Sequence, residues 1–124
     1  MARSKNSVEL MGNLTADPET KYTSESVAVT TFRLVTDTPV KRGEDWTTEP
    51  EYHSLVAFGR TAELCKEYLG KGNRVLIEGR LKTRSWDDKD TGKKMYRTEV
   101  IINDDGLFLL DKAPKGDNQV KAQN

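Results

Sequence analysis

From Tyr68 to Trp86 the chain reads YLGKGNRVLIEGRLKTRSW: the end of a helix, a glycine-punctuated turn, then a long strand. No other stretch restricts the fold as strongly. A strand sends alternate side chains to opposite faces. Val75, Ile77, Gly79 and Leu81 share one parity, which is apolar and small. Leu76, Glu78, Arg80, Lys82, Arg84 and Trp86 share the other, which turns basic and ends in an indole. Cations and an aromatic on one strand face suit a flexible polyanion with stackable rings, the chemistry of single-stranded nucleic acid. Equally open is a plainer reading, in which Arg80, Lys82 and Arg84 keep a solvated face polar and Trp86 caps the core.

The remaining chain supplies strands before and after this run. Ser7 to Asn13 (SVELMGN) leans to a strand, with Gly12 placed to permit a bulge or close backbone approach. Thr15 to Ser26 is polar and carries Asp17-Pro18, a loop signal. Val27 to Thr36 (VAVTTFRLVT) is rich in β-branched residues and reads as a strand. Asp37 to Pro50 holds two prolines, a glycine and several charges and is expected to be a long loop, a kind that is often functional. Glu51 to Gly59 is a third strand, with Tyr52, Ser54, Val56 and Phe58 on one face and His53, Leu55 and Ala57 on the other. A helix follows: Thr61 can cap it, Glu63 suits its first turn, and Ala62, Cys65 and Leu69 recur at helical spacing until Gly70 and Gly72 end it. After the organising strand, DDKDTGK (Asp87 to Lys93) is a hairpin turn by composition, Met95 to Asn103 a fifth strand, Asp104 to Gly106 a turn, and Leu107 to Leu110 a short apolar closing segment.

Three strands, one helix and two strands is the element order of the OB-fold, a five-stranded Greek-key barrel with its helix between strands three and four. A length of 124 residues fits one such domain, expected over residues 1–110, with residues 111–124 a polar, aperiodic, disordered tail. The formal net charge is zero, so any nucleic-acid function must come from local segregation of charge. Residues 80–97 provide it: Arg80, Lys82, Arg84, Lys89, Lys93, Lys94 and Arg97 outnumber Asp87, Asp88 and Asp90. Of these, Arg80, Lys82, Arg84, Lys94 and Arg97 are the candidates for phosphate contacts. Cys65 is the lone cysteine, read as a buried hydrophobe in a reducing cytosol. One histidine and one cysteine argue against a zinc site, and no cofactor is expected. No apolar run reaches a membrane span and MARSKNS is no secretory signal, so the expected setting is cytoplasmic.

GNLTADPETKY (Gly12 to Tyr22), EYHSLVAFGRTAELCKEYLGKGNRVLIEGRLKTRSW (Glu51 to Trp86) and YRTEVIIN (Tyr96 to Asn103) closely resemble the bacterial single-stranded DNA-binding proteins, in order and spacing, from about residue 7 to residue 110. The resemblance implies a non-enzymatic homo-oligomer of OB-folds, usually a tetramer. It would wrap single-stranded DNA with little sequence preference and serve replication, recombination and repair at the nucleoid. The stacking aromatics of that family match Tyr52, Phe58 and Trp86, and its histidine near the subunit interface matches His53.

Two departures stand out. The family's further tryptophan after the second strand is replaced near Val40, while Trp46 lies six residues later and is a candidate to stack in its place. The family's acidic, partner-recruiting C-terminal tip is not present in this chain, which ends VKAQN; either the chain is truncated or this member does not recruit partners that way. The alternatives to sequence-tolerant single-stranded DNA binding are an OB-fold accessory factor, for replication restart or RNA binding, and an OB-fold protein-interaction module that buries Trp86 and Phe58. The aspartate clusters fall at turns and lack the complete calcium-loop pattern, so an enzyme or metal reading is the weakest.

Overall fold

The structure is a computed structural model that describes residues 3–111, so most of the expected tail lies outside the described residues. Its elements are β1 (Val8–Leu14), β2 (Glu19–Tyr22), β3 (Ala28–Arg42), β4 (Asp45–Phe58), α1 (Gly59–Tyr68), β5 (Arg74–Asp87) and β6 (Lys94–Leu109). The sheet runs β1-β5-β6-β4-β3-β2, and β1 also pairs with β3 through Asn13↔Val35 and Leu14↔Leu34. That second pairing closes β1, β5, β6, β4 and β3 into the five-stranded OB barrel. The short β2, hidden in what reads as a polar loop, adds to the edge of β3 through residues 28–31, so the helix follows the fourth strand of the chain.

Closure depends on glycines where strands bend close. A Cβ on Gly12 would strike the Val35 carbonyl, and one on Gly79 would strike the Ile101 carbonyl. The expected close approach at Gly12 is therefore the seam of the barrel. Between Ile77↔Leu107 and Gly79↔Ile102 the β5–β6 register shifts, so Asn103 to Gly106 bulge out of β6 instead of ending it. The apolar run Leu107 to Leu110 is thus mostly the end of the same strand.

Inside sit Leu34, Leu55, Leu69, Val75, Ile77, Ala57, Ala62 and Cys65, all fully buried. The helix covers one end of the barrel with Ala62, Cys65 and Leu69, as its spacing predicts. Its entry differs. Gly59 adopts a φ of 63°, Phe58 is the N-cap with no side-chain cap bond, and Glu63 falls beyond the first turn. Thr61 is buried instead, and its hydroxyl donates to the Asp104 carbonyl at 3.2 Å. At the other end Asn73 accepts the Gly70 N–H through Oδ1 at 2.8 Å, and Gly72 turns the chain at φ 89°.

The larger correction concerns residues 37–50. They are no loop: β3 and β4 pair without interruption from Val29↔Phe58 to Arg42↔Asp45. Gly43 at φ 66° opens a two-residue turn, the position where a type II′ hairpin requires glycine. Pro39 and Pro50 survive because this upper ribbon is two-stranded. Beyond Val35 on β3 and before Leu55 on β4 the outer edges have no strand partner among the described residues, and prolines are tolerated on such edges. An ion pair between Arg42 and Glu49 ties the two arms. A second ribbon rises from β5 and β6 and ends at Asp87↔Lys94. Leu81 lies on it and is 50% exposed, so its parity with Ile77 does not carry it into the core.

Candidate nucleic-acid interface

The register decides which side chains share a surface, because directly paired residues on neighbouring strands project to the same side. Inward go Ala28, Thr30, Phe32 and Leu34 of β3, Leu55 and Ala57 of β4, and Val100 and Ile102 of β6. Outward on β4 go Tyr52, Ser54 and Phe58, opposite Val35, Arg33 and Val29. Since Leu55 pairs with Val100 and Val56 with Ile101, the outward side of β6 carries Arg97 and Glu99. Across β5 the same side carries Arg80, Lys82, Arg84 and Trp86. One outer face therefore holds Tyr52, Phe58, Trp86, Arg80, Lys82, Arg84 and Arg97. The rings are open: Tyr52 is 55% exposed, Phe58 47% and Trp86 42%. Trp86 is no core cap.

The centre of this face is wired together. Arg84 grips Glu99 with two prongs, Nε to Oε1 at 3.0 Å and Nη2 to Oε2 at 3.2 Å. Arg97 lies 3.8 Å from the same carboxylate and donates through Nη2 to the Ser54 hydroxyl at 3.0 Å. The Arg84 guanidinium sits 5.4 Å from the centre of the Trp86 ring, within cation–π reach. A cleft of about 460 Å³ opens here, lined by Arg33, Ser54, Arg84, Arg97 and Glu99 among others.

Two candidates stand apart. Lys94 has the opposite parity to Arg97 and pairs with Asp87 at 3.8 Å, so it leaves the outer face. Trp46 has the parity of Tyr52 but sits six residues up the hairpin, roughly 20 Å by strand rise, opposite Lys41 and 66% exposed. His53 is half-buried on the inward parity, and its Nε2 and the Thr36 hydroxyl share a hydrogen bond of 2.9 Å.

Residues 5–108 match the Single-strand binding protein family. The chain belongs to that family. It is similar to Single-stranded DNA-binding protein 1 of Chlorobaculum tepidum, 46% identical over 105 residues, which is 84% of this chain and 65% of that protein. It thus spans just under two thirds of that relative's length. A Single-stranded DNA-binding protein of Borreliella burgdorferi is 33% identical over 119 residues, 96% of this chain and 76% of the relative. Among solved structures, a chain titled Plasmodium falciparum SSB complex with ssDNA superposes with a TM-score of 0.78 at 27% identity, covering 90% of this chain and 99% of that one.

Sequence reasoning missed three members of the face in this single-strand binding family fold. Arg33 lies inside a β-branched run and becomes visible only when Ser54 is set opposite it. Met95, opposite Trp86, needed the β5–β6 register. Glu99 counts as a plain negative charge until its 6% exposure and two arginine partners are known. Alternation on β6 would have put Glu99 beside Arg97. Among the described residues no group of three or more His, Cys, Asp or Glu is arranged to hold a metal ion. Nor is any helix there long and apolar enough to cross a membrane.

Proposed function

We propose that this protein binds single-stranded DNA with little sequence preference, as a non-enzymatic protector of exposed strands in replication, recombination and repair at the nucleoid. The observation that carries this reading is the outer face itself, where three exposed aromatics face one way with three arginines and one lysine. Arg80, Lys82, Arg84 and Arg97 would follow the phosphates; Tyr52, Phe58 and Trp86 would stack under bases. Every base has a π-face, so such a surface needs no base-edge readout. The neutral total charge is no obstacle, because Arg80, Lys82, Arg84 and Arg97 gather on this one face.

We further propose that the working form is a homo-oligomer, in keeping with the family resemblance, with His53 near a subunit contact. Supporting this, Met11, Leu76 and Phe108 align across β1, β5 and β6, and Met11 is 57% and Phe108 42% exposed. Exposed apolar rows of this kind ordinarily find a cover.

The deciding experiment titrates the protein with labelled poly-dT and with duplex DNA while light scattering reports its mass. Tight, salt-sensitive binding to poly-dT over duplex is expected. Trp86→Ala is expected to weaken poly-dT binding by on the order of 1–3 kcal/mol per stacked base while leaving the fold intact. Equal affinity for duplex and single strand would overturn the reading.

A further inference from the structure

Glu99 sets a negative charge, almost wholly buried, in the middle of a face proposed to hold polyanions. For affinity alone that is the wrong sign. Its contacts give a reason. Arg84 and Arg97 are directly opposed on β5 and β6 and point the same way, and like charges so placed repel. The Glu99 carboxylate lies beneath both, two-pronged to Arg84 at 3.0 and 3.2 Å and 3.8 Å from Arg97. Arg84 in turn lies 5.4 Å from the Trp86 ring centre. A chain of contacts thus runs from a buried carboxylate to the exposed indole.

We propose that Glu99 is a positioning residue that presets the Arg84–Trp86 platform, so that one face of the indole is occupied by the guanidinium and a base stacks only on the other. This rests on the single-stranded DNA reading above. The two-pronged grip uses Arg84 Nε and Nη2 and leaves Nη1 to reach a phosphate. Arg97, held by Ser54 through Nη2, is set the same way. Glu99 cancels one positive charge but holds the Arg84 guanidinium plane, and through it one ring, before the strand arrives. Preorganisation of this kind removes ordering costs from binding.

Charge counting and positioning predict opposite signs for Glu99→Gln. The substitution is nearly isosteric and makes the face more positive by one charge. Were Glu99 merely a charge, affinity for oligo-dT would rise and its salt dependence steepen. As a positioning residue, its loss is expected to weaken binding about tenfold. It is also expected to cut the quenching of Trp86 emission by more than half. The comparison is made in a Trp46→Phe background, where Trp86 is the sole tryptophan. In a Trp86→Ala protein the same Glu99→Gln change is expected to cost less than about threefold, because coupled residues are non-additive. Circular dichroism melts check that each variant folds. Where Glu99→Gln does not fold, Glu99→Asp decides: it keeps the charge and leaves Arg84 and Arg97 intact, but a side chain one carbon shorter cannot hold the two-pronged contact with Arg84. Quenching and affinity at the parent level in the folded variant, or losses that simply multiply, would overturn the role of Glu99. Failure of the parent protein to prefer oligo-dT over duplex would instead overturn the binding reading.

Discussion

Trp46 stands directly opposite Lys41 near the tip of the β3–β4 hairpin, on the same side as Tyr52 lower down the strand. An indole 66% exposed beside a cation extends the barrel's outer face along the ribbon. Being so exposed, it contributes little to folding; surface substitutions usually stay within about 0.5 kcal/mol. In a Trp86→Phe protein Trp46 is the sole tryptophan, and oligo-dT is expected to quench it. Trp46→Ala should weaken binding while leaving the oligomer's mass unchanged. Loss of the oligomer without quenching would make Trp46 an assembly residue.

The face also ranks the cations. Arg80, Lys82, Arg84 and Arg97 share the side of Tyr52 and Trp86, whereas Lys94 projects to the other and pairs with Asp87. Alanine at each true phosphate contact should shrink the log–log salt slope of oligo-dT binding by roughly 0.7, and Lys94→Ala should leave it unchanged. A reduced slope for Lys94→Ala alone would show that the strand runs along the opposite side of the ribbon.

How far the sequence reveals this molecule depends on whether local pattern or distant pairing decides the point. The helix plug was legible because Ala62, Cys65 and Leu69 repeat at helical spacing. The outer face was legible from alternation, which put Tyr52 with Phe58 and Arg84 with Trp86. The ribbon from Thr36 to Glu51 was not, because its signals are polar on both sides and include two prolines. Its pairing is set by a single glycine turn and by free edges that tolerate proline, and those edges are known only from the whole sheet. Glu99 was legible only in part: alternation on β6 sets it beside Arg97, but its burial and its grip on Arg84 come from the pairing of β6 with β5 and β4.

Two residues of equal parity on β5 should now respond differently. Ile77 is fully buried within the barrel, while Leu81 is half exposed on the ribbon beyond Gly79. Ile77→Ala is expected to cost about 2–5 kcal/mol in urea unfolding. Leu81→Ala in the isolated subunit is expected to cost under about 1 kcal/mol. A large loss at Leu81 that appears only at assembling concentrations would mean that a second copy covers it.

Cys65 gives a prediction in alkali. Burial against the barrel pushes its thiol from 9.0 up to about 12, since a thiolate there would be stripped of water. The folded protein therefore keeps this proton through a range in which the unfolded chain has released it. Stability from the buried neutral thiol is complete below about pH 9 and is lost as pH rises toward about 12. Other groups titrate in that window, so the comparison is with Cys65→Ala, which shares them all. Across it the parent protein should lose stability more steeply than Cys65→Ala, by up to about 1.4 kcal/mol per pH unit. At pH 8 a thiol reagent should label the parent only as fast as it opens, and urea should restore full labelling. Parallel pH profiles for the two proteins, together with rapid labelling of the folded state, would place Cys65 at an accessible position and remove it from the core beneath the helix.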